Sequence, residues 1–389
     1  MIYLDNSATT YPKPTSVYNA VNYSLKNYGA NPGRSGHSMS IKGAEEVYKC
    51  REAVSRLFKI KDVEKVMFTQ NCTQSLNTVI RGYLNSGDHI VISEFEHNSV
   101  LRPVKELSEQ GITFTVAEVV HGDFEKTLDN FRKSINEKTK LIVVTHASNV
   151  TGTILPISRI TALAHQYNIR VLVDTAQSAG VLPIDVEEMN LDFLAAAGHK
   201  GLMGPMGTGI MYIREPDLIR PLICGGTGSS SLDMSQPTVT PDKYESGTCN
   251  LPGICGLLKG IEFIEKTGID KIHDYEFSLL KQLYYKLEKT DGVILYTPEP
   301  KKEYNAPLLA FNVRDMHSEE VAEILNTKYG IAVRAGLHCA PLAHKKLGTE
   351  NQGAVRISLS YFNTFVQINT VANAVKNISN INSKKFNIK

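Results

Sequence analysis

The chain has 389 residues, 42% hydrophobic and 21% charged, which is globular composition and excludes a disordered, collagenous or fibrous protein. That length supports a sizeable core and a prior of about two to three domains. Forty-two basic residues against forty acidic ones leave +2, too balanced for a general nucleic-acid or membrane-surface binder, and no run of about 18 uncharged apolar residues is present to span a bilayer.

The first residues, Met1-Ile-Tyr-Leu-Asp5, form neither a basic stretch nor an apolar segment, so no secretory signal and a cytoplasmic setting are expected. The six cysteines, at 50, 72, 224, 249, 255 and 339, have no C-x-x-C pair and no finger spacing, so reduced thiols are the default and structural zinc is not expected. From about residue 65, short apolar runs at 65–69, 89–93, 112–116, 141–145 and 169–173 alternate with stretches such as 100–110 and 157–167, where apolar residues recur at three and four spacing. Alternating strand and helix, with runs apolar on both faces, predict an α/β fold with a mostly parallel, helix-covered sheet. Ligands of such sheets sit beyond the carboxyl ends of the strands. Residues 225–242 read as a long loop containing Gly225-Gly-Thr-Gly-Ser-Ser-Ser231 and two prolines. A helical region at about 252–290 leads into a smaller unit, with strands at 308–313 and 355–359 and a helix at 318–329. The Asn-, Ser- and Lys-rich tail from Asn377 is expected to fray.

The strand ends carry the chemistry. Val171-Leu-Val-Asp174-Thr-Ala-Gln177 closes one apolar run on an aspartate, and Gly198-His199-Lys200-Gly201 follows 26 residues after that aspartate. A lysine for a Schiff base and a carboxylate to keep a pyridine nitrogen protonated are what pyridoxal phosphate needs; the plain alternative is a surface lysine and a helix-capping aspartate. After residue 69 comes Asn71-Cys72-Thr73, opening a helical stretch as a phosphate cradle would, although Ser and Thr there commonly serve only as caps. His97, after residue 93, could stack on a planar ring, and Asn149, after residue 145, could donate to a ring oxygen. Five strand ends, each with a suitable group, are poorly explained by capping alone.

Together with Tyr3-Leu-Asp-Asn-Ser-Ala-Thr-Thr10, the Glu96-His97 pair, Glu245-Ser-Gly-Thr-Cys-Asn250, Arg334-Ala-Gly-Leu-His-Cys339-Ala and Val355-Arg356-Ile-Ser, these motifs resemble the cysteine desulfurase family on the class V aminotransferase fold. The likeness is nearer its group II (SufS-like, selenocysteine-lyase-like) branch and runs from residue 3 to about 365. It implies a PLP-dependent transferase fold of type I. A large domain at 15–255 would bind the cofactor, and a small domain built from 1–14 and 256–389 would carry Arg356 and the Cys339 loop. It further implies that Lys200 forms the Schiff base and shuttles protons, Asp174 pairs with the pyridine nitrogen, Gln177 meets the ring oxygen, and His97 stacks on the ring. Cys72, Thr73 and His199 fall to the phosphate side. Asn149 and Arg356 would grip the substrate carboxylate, Arg356 by a fork that lysine does not reproduce. Cys339 would take the sulfur of L-cysteine as a persulfide, release L-alanine and pass the sulfur to an acceptor protein; His338 and Arg334 are read as positive neighbours favouring its thiolate. A homodimer is implied.

Departures from the family pattern lighten the phosphate grip. Asn71-Cys72-Thr73 stands where Gly-Thr-Thr is common, and Ala197 replaces a phosphate-binding serine. Thr227 could compensate from a partner subunit. Leu337 precedes His338 where the group II branch commonly has a second histidine, and the segment at 31–37 resembles a less characterised branch. The alternatives are a selenocysteine lyase, using L-selenocysteine, another PLP-dependent lyase or transaminase, and a non-enzymatic PLP-binding protein. A zinc site at His338, Cys339 and His344 would lack a fourth ligand nearby.

Overall fold

The computed structural model describes residues 1–386 apart from Arg34, Ser230 and Ser231, with side chains as far as Asn382. The segment at 31–37 and the Gly-rich loop therefore each include residues outside those described. In chain order the strands are β1 (Ile2–Tyr3), β2 (Val66–Thr69), β3 (His89–Ser93), β4 (Thr113–Ala117), β5 (Thr139–Thr145), β6 (Arg170–Asp174), β7 (Phe193–Ala197), β8 (Gly209–Ile213), β9 (Val293–Leu295), β10 (Leu308–Val313), β11 (Ile331–Ala332) and β12 (Val355–Ser358). The helices are α1 (Thr15–Asn27), α2 (Ser38–Phe58), α3 (Cys72–Tyr83), α4 (Asn98–Ser108), α5 (Phe124–Ser134), α6 (Ile157–Gln166), α7 (Leu251–Thr267), α8 (Ile269–Glu288), α9 (Ser318–Tyr329), α10 (Pro341–Leu347) and α11 (Phe365–Phe386).

The central sheet has the order β2-β8-β7-β6-β5-β3-β4. Its five strands β7, β6, β5, β3 and β4 are parallel, and β8 runs against both β7 and β2. Every residue of β3, β7 and β8 is buried, which is why these runs are apolar on both faces. Because β2 is antiparallel to β8, its carboxyl end lies on the same edge as those of the parallel strands. That shared edge is where Thr69, Ser93, Thr145, Asp174 and Ala197 leave the sheet.

A separate core gathers Leu4 with apolar residues from 277 to 378, between α8, α9, α11 and the sheet β12-β10-β9. The N-terminal segment ties this core to the central sheet. Leu4 N–H donates to the Ala332 carbonyl (2.9 Å) and the Leu4 carbonyl accepts from Ser358 N–H (2.8 Å). A few residues on, Thr10 N–H donates to the His199 carbonyl (3.1 Å) and its hydroxyl to the Lys200 carbonyl (2.7 Å).

Three expectations change. The helical region at 252–290 is two helices, broken at Gly268, whose φ of 90° is closed to most side chains. The tail from Asn377 does not fray there: α11 runs to Phe386, its buried Val371, Val375 and Ile378 holding it to the second core. Strands β7 and β8, absent from the sequence reading, carry the approach to Lys200. Among the described residues no helix is long and apolar enough to cross a membrane.

Candidate active site

A cavity of about 90 Å³ opens at the shared strand edge. Cys72, Thr73, His97, Asn149, Asp174, Gln177, His199 and Lys200 all line it, so the structure brings together every residue chosen from the sequence except Cys339, Arg356 and Thr227. Asp174 ends β6 and is 4% exposed. Its Oδ1 accepts from Ala176 N–H (2.8 Å) and lies 3.5 Å from the Cys72 Sγ. Lys200 follows β7 in a turn where side chains are excluded on both flanks. A Cβ on Gly198 would sit 2.2 Å from the Thr208 hydroxyl, and one on Gly201 would sit 2.4 Å from the Ala179 carbonyl. The two glycines thus let the His199-Lys200 backbone press against its neighbours and present both side chains to the cavity.

The electrostatics follow from burial. Desolvation pushes the Lys200 ammonium below its ordinary pKa, and the Asp174 carboxylate pulls the other way. Burial, with Lys200 and Lys13 nearby, lowers His199 to about 4, so its imidazole is neutral. His97 is lowered too, by burial first. Its Nδ1 caps α4 by accepting from Ser99 N–H (3.1 Å), which fixes the ring at the cavity wall. At the N-terminus of α3 the Asn71 side chain already accepts from Gln74 N–H (2.9 Å), which leaves the exposed Thr73 hydroxyl and the first-turn N–H groups for an anion. Gln177 Nε2 donates to the Ser7 carbonyl (3.2 Å).

Cys339 and Arg356 stand beside this cavity and are joined to it through Asn149. Arg356, 2% exposed on β12, donates from Nη1 to the Asn149 carbonyl (2.9 Å) and from Nη2 to Asp5 Oδ1 (2.8 Å). Asn149 Nδ2 in turn donates to the His338 carbonyl (2.7 Å), and the Cys339 carbonyl accepts from Asn98 N–H at the start of α4 (2.7 Å). These contacts hold a strained turn, since His338 and Cys339 have φ of 49° and 56°, in the left-handed region that neither side chain favours. The Cys339 side chain is exposed at its tip. His338 does not supply the positive charge expected of it. Burial drives its pKa down to about 2, and its Nδ1 faces His344 Nε2 at 3.2 Å with the rings stacked. The two imidazoles engage each other, and among the described residues no cluster of three or more His, Cys, Asp or Glu is arranged to hold a metal.

Thr227 lies elsewhere: it lines a surface cavity with Arg51, Glu245 and Cys249, and its hydroxyl meets Ser229 Oγ at 3.1 Å. Three participants were missed by sequence reasoning: Asp5, the ion partner of Arg356; Ser99, the capping partner of His97; and Lys13, whose ammonium donates to the His199 carbonyl (3.2 Å). Asp5 and Lys13 gave little signal because each acts from a segment remote from the residue it holds, whereas Ser99 sits two positions after His97.

The class-V aminotransferase family model, a family dependent on pyridoxal phosphate, matches residues 2–371. A probable cysteine desulfurase of Methanothermobacter thermautotrophicus is 33% identical over 387 residues, covering 97% of this chain and 94% of the relative. The apo cysteine desulfurase of Thermococcus onnurineus NA1 superposes with a TM-score of 0.91 at 34% identity, over 97% of this chain and 94% of that one. The cysteine desulfurase CsdA of Escherichia coli, in an S-sulfonic acid form, superposes at 0.86 and 28% identity, over 96% and 94%. The strand-edge cavity therefore sits in a class-V aminotransferase fold, and the chain belongs to the cysteine desulfurase family.

Proposed function

We propose that the protein removes sulfur from L-cysteine, leaving it as a persulfide on Cys339, releasing L-alanine, and passing the sulfur to an acceptor protein. The observation that carries this reading is the Lys200–Asp174 pair in one cavity, with an exposed cysteine in a turn hydrogen-bonded to the cavity wall through Asn149. Two buried atoms of lining residues, Asn149 Oδ1 and His199 Nδ1, have no partner among the described residues, as expected of a site shaped for a polar group such as pyridoxal phosphate. Lys200 would hold the cofactor covalently, Asp174 would face its ring nitrogen, Gln177 its ring oxygen, His97 its ring face, and Thr73 and His199 its phosphate. Once bound, the cofactor supplies the electron sink for chemistry at the carbons of an amino acid.

This chain's residues do the rest. Arg356 Nε, buried and without an acceptor among the described residues, offers a donor for the substrate carboxylate beside Asn149. Lys200, its pKa lowered by burial, holds and returns a proton at Nζ. The Cys339 sulfur attacks the substrate sulfur, so the carbon–sulfur bond breaks as the sulfur–sulfur bond forms and the carbon skeleton leaves as alanine once protonated. A domain division at 15–255, and at 1–14 with 256–389, accords with the separate core that gathers Leu4 with apolar residues from 277 to 378. A homodimer in a cytoplasmic, reducing setting accords with six unpaired cysteines and with the position of Thr227, away from the cavity of its own chain.

Purified protein supplied with pyridoxal phosphate, L-cysteine and a thiol reductant is expected to form alanine and sulfide in equal amounts; neither product forming would overturn the reading. In a dimer whose Thr227 reaches the partner's phosphate site, Thr227→Ala weakens cofactor binding about three- to ten-fold in an absorbance titration. An unchanged constant removes Thr227 from the site.

A further inference from the structure

Among the described residues, both donors to the Asp174 carboxylate fall on one oxygen. Ala176 N–H reaches Oδ1 at 2.8 Å and the Cys72 Sγ lies 3.5 Å from the same atom, while Oδ2 receives neither. Cys72 is the first residue of α3, placed by the Asn71 cap, and is 8% exposed. A helical Cβ points back toward the helix start, here toward the end of β6, so the thiol meets the aspartate and not the anion-binding first turn. Burial and the neighbouring carboxylate both raise the Cys72 pKa, which keeps the sulfur protonated and a donor.

We propose that Cys72 is a positioning residue for Asp174, its S–H and the Ala176 N–H together holding Oδ1 so that Oδ2 is presented to the ring nitrogen of the cofactor. This rests on the pyridoxal phosphate reading of the cavity and deepens it. At this position a hydroxyl would perform the same task, whereas an apolar side chain would leave the carboxylate held by one donor.

The test uses the apo form of the full chain titrated with pyridoxal 5′-phosphate, with the dissociation constant and the pH midpoint of the bound cofactor's visible absorbance as readouts. Cys72→Ser keeps a donor, Cys72→Ala removes it, and Cys72→Val removes it while filling the volume. The serine variant is expected within about two-fold of wild type, and alanine and valine each weaker by about three- to ten-fold, the scale of one hydrogen bond from a weak donor to a charged acceptor. Both apolar variants are also expected to shift the midpoint in the same direction. Valine matching wild type would reduce Cys72 to packing and overturn the proposal, as would serine behaving like valine. Wild-type protein that takes up no pyridoxal phosphate would overturn the cavity reading itself, an outcome read on the unmutated chain and so distinct from failure of the Cys72 proposal.

Discussion

Cys339→Ala abolishes both alanine and sulfide formation from L-cysteine, by about a thousand-fold or more, while cofactor binding is unchanged. The expected size follows from the role: without an acceptor for the substrate sulfur, the covalent route is closed and only slow background elimination is left. Cofactor binding survives because Cys339 is not among the residues lining the cavity. The loop also keeps its shape, since alanine adopts a φ of 56° about as readily as cysteine and the Asn98 and Asn149 contacts are to backbone carbonyls. The check is paired quantification of alanine and sulfide in the two proteins. Alanine persisting in the variant would remove Cys339 from the mechanism and favour a lyase that needs no sulfur carrier.

Glu276→Gln raises stability at pH 7 by about 3 kcal/mol and flattens the loss of stability at mildly alkaline pH. Glu276 lies on α8, 2% exposed, beside a second small cavity lined by Asn6, Gln177 and Lys200; the Tyr361 backbone meets its carboxyl, and its Oε2 has no partner among the described residues. Burial raises its pKa from 4.5 to about 8. Glu96, buried after β3 with Oε1 accepting from Ser93 Oγ (2.5 Å) and Thr145 N–H (2.8 Å), is likewise raised to about 8. A raised carboxyl favours folding fully below pH 4.5, and that contribution is lost as pH climbs to about 8, because the unfolded chain has released a proton the folded chain retains. Neutral histidines act oppositely. His146 and His344, held near 4, and His338, near 2, lose stability as pH falls below 6.5. Stability therefore peaks near pH 6.5. From there to pH 8 the two glutamates, at up to about 1.4 kcal/mol per pH unit each and less as their folded pKa is reached, remove about 3 kcal/mol. Urea unfolding at pH 6.5 and 8 checks this, with the variant showing about half the wild-type loss. Parallel pH profiles would mean that Glu276 is ionised in the fold.

Much of the central sheet was legible because its inner strands are short and apolar on both faces, and the cavity because Asp174, His97, Asn149 and Lys200 sit at or soon after strand ends. Strand β7 escaped notice since Phe193-Leu-Ala-Ala-Ala197 has no β-branched residue, and its place between β6 and β8 is decided by pairing at a distance. Cys72 was legible as a member of a helix-opening turn but not in its direction, because spacing does not say which strand end a helix start faces. The neutral state of His338 was hidden for a related reason: its burial depends on a stack against His344, which local sequence does not announce.

The N-terminal segment sets an order on synthesis. Asn6 donates to the carbonyl of Ser358, 352 positions away, and Thr10 to that of Lys200, 190 positions away. Residues 4–10 are made long before either partner, and Ser358 follows well after Lys200. The central sheet can assemble from segments already made, while the clasp that seats Lys200 against the second core closes last. The clasp is thus incomplete in a nascent chain that has not yet reached Ser358, however well its sheet has formed.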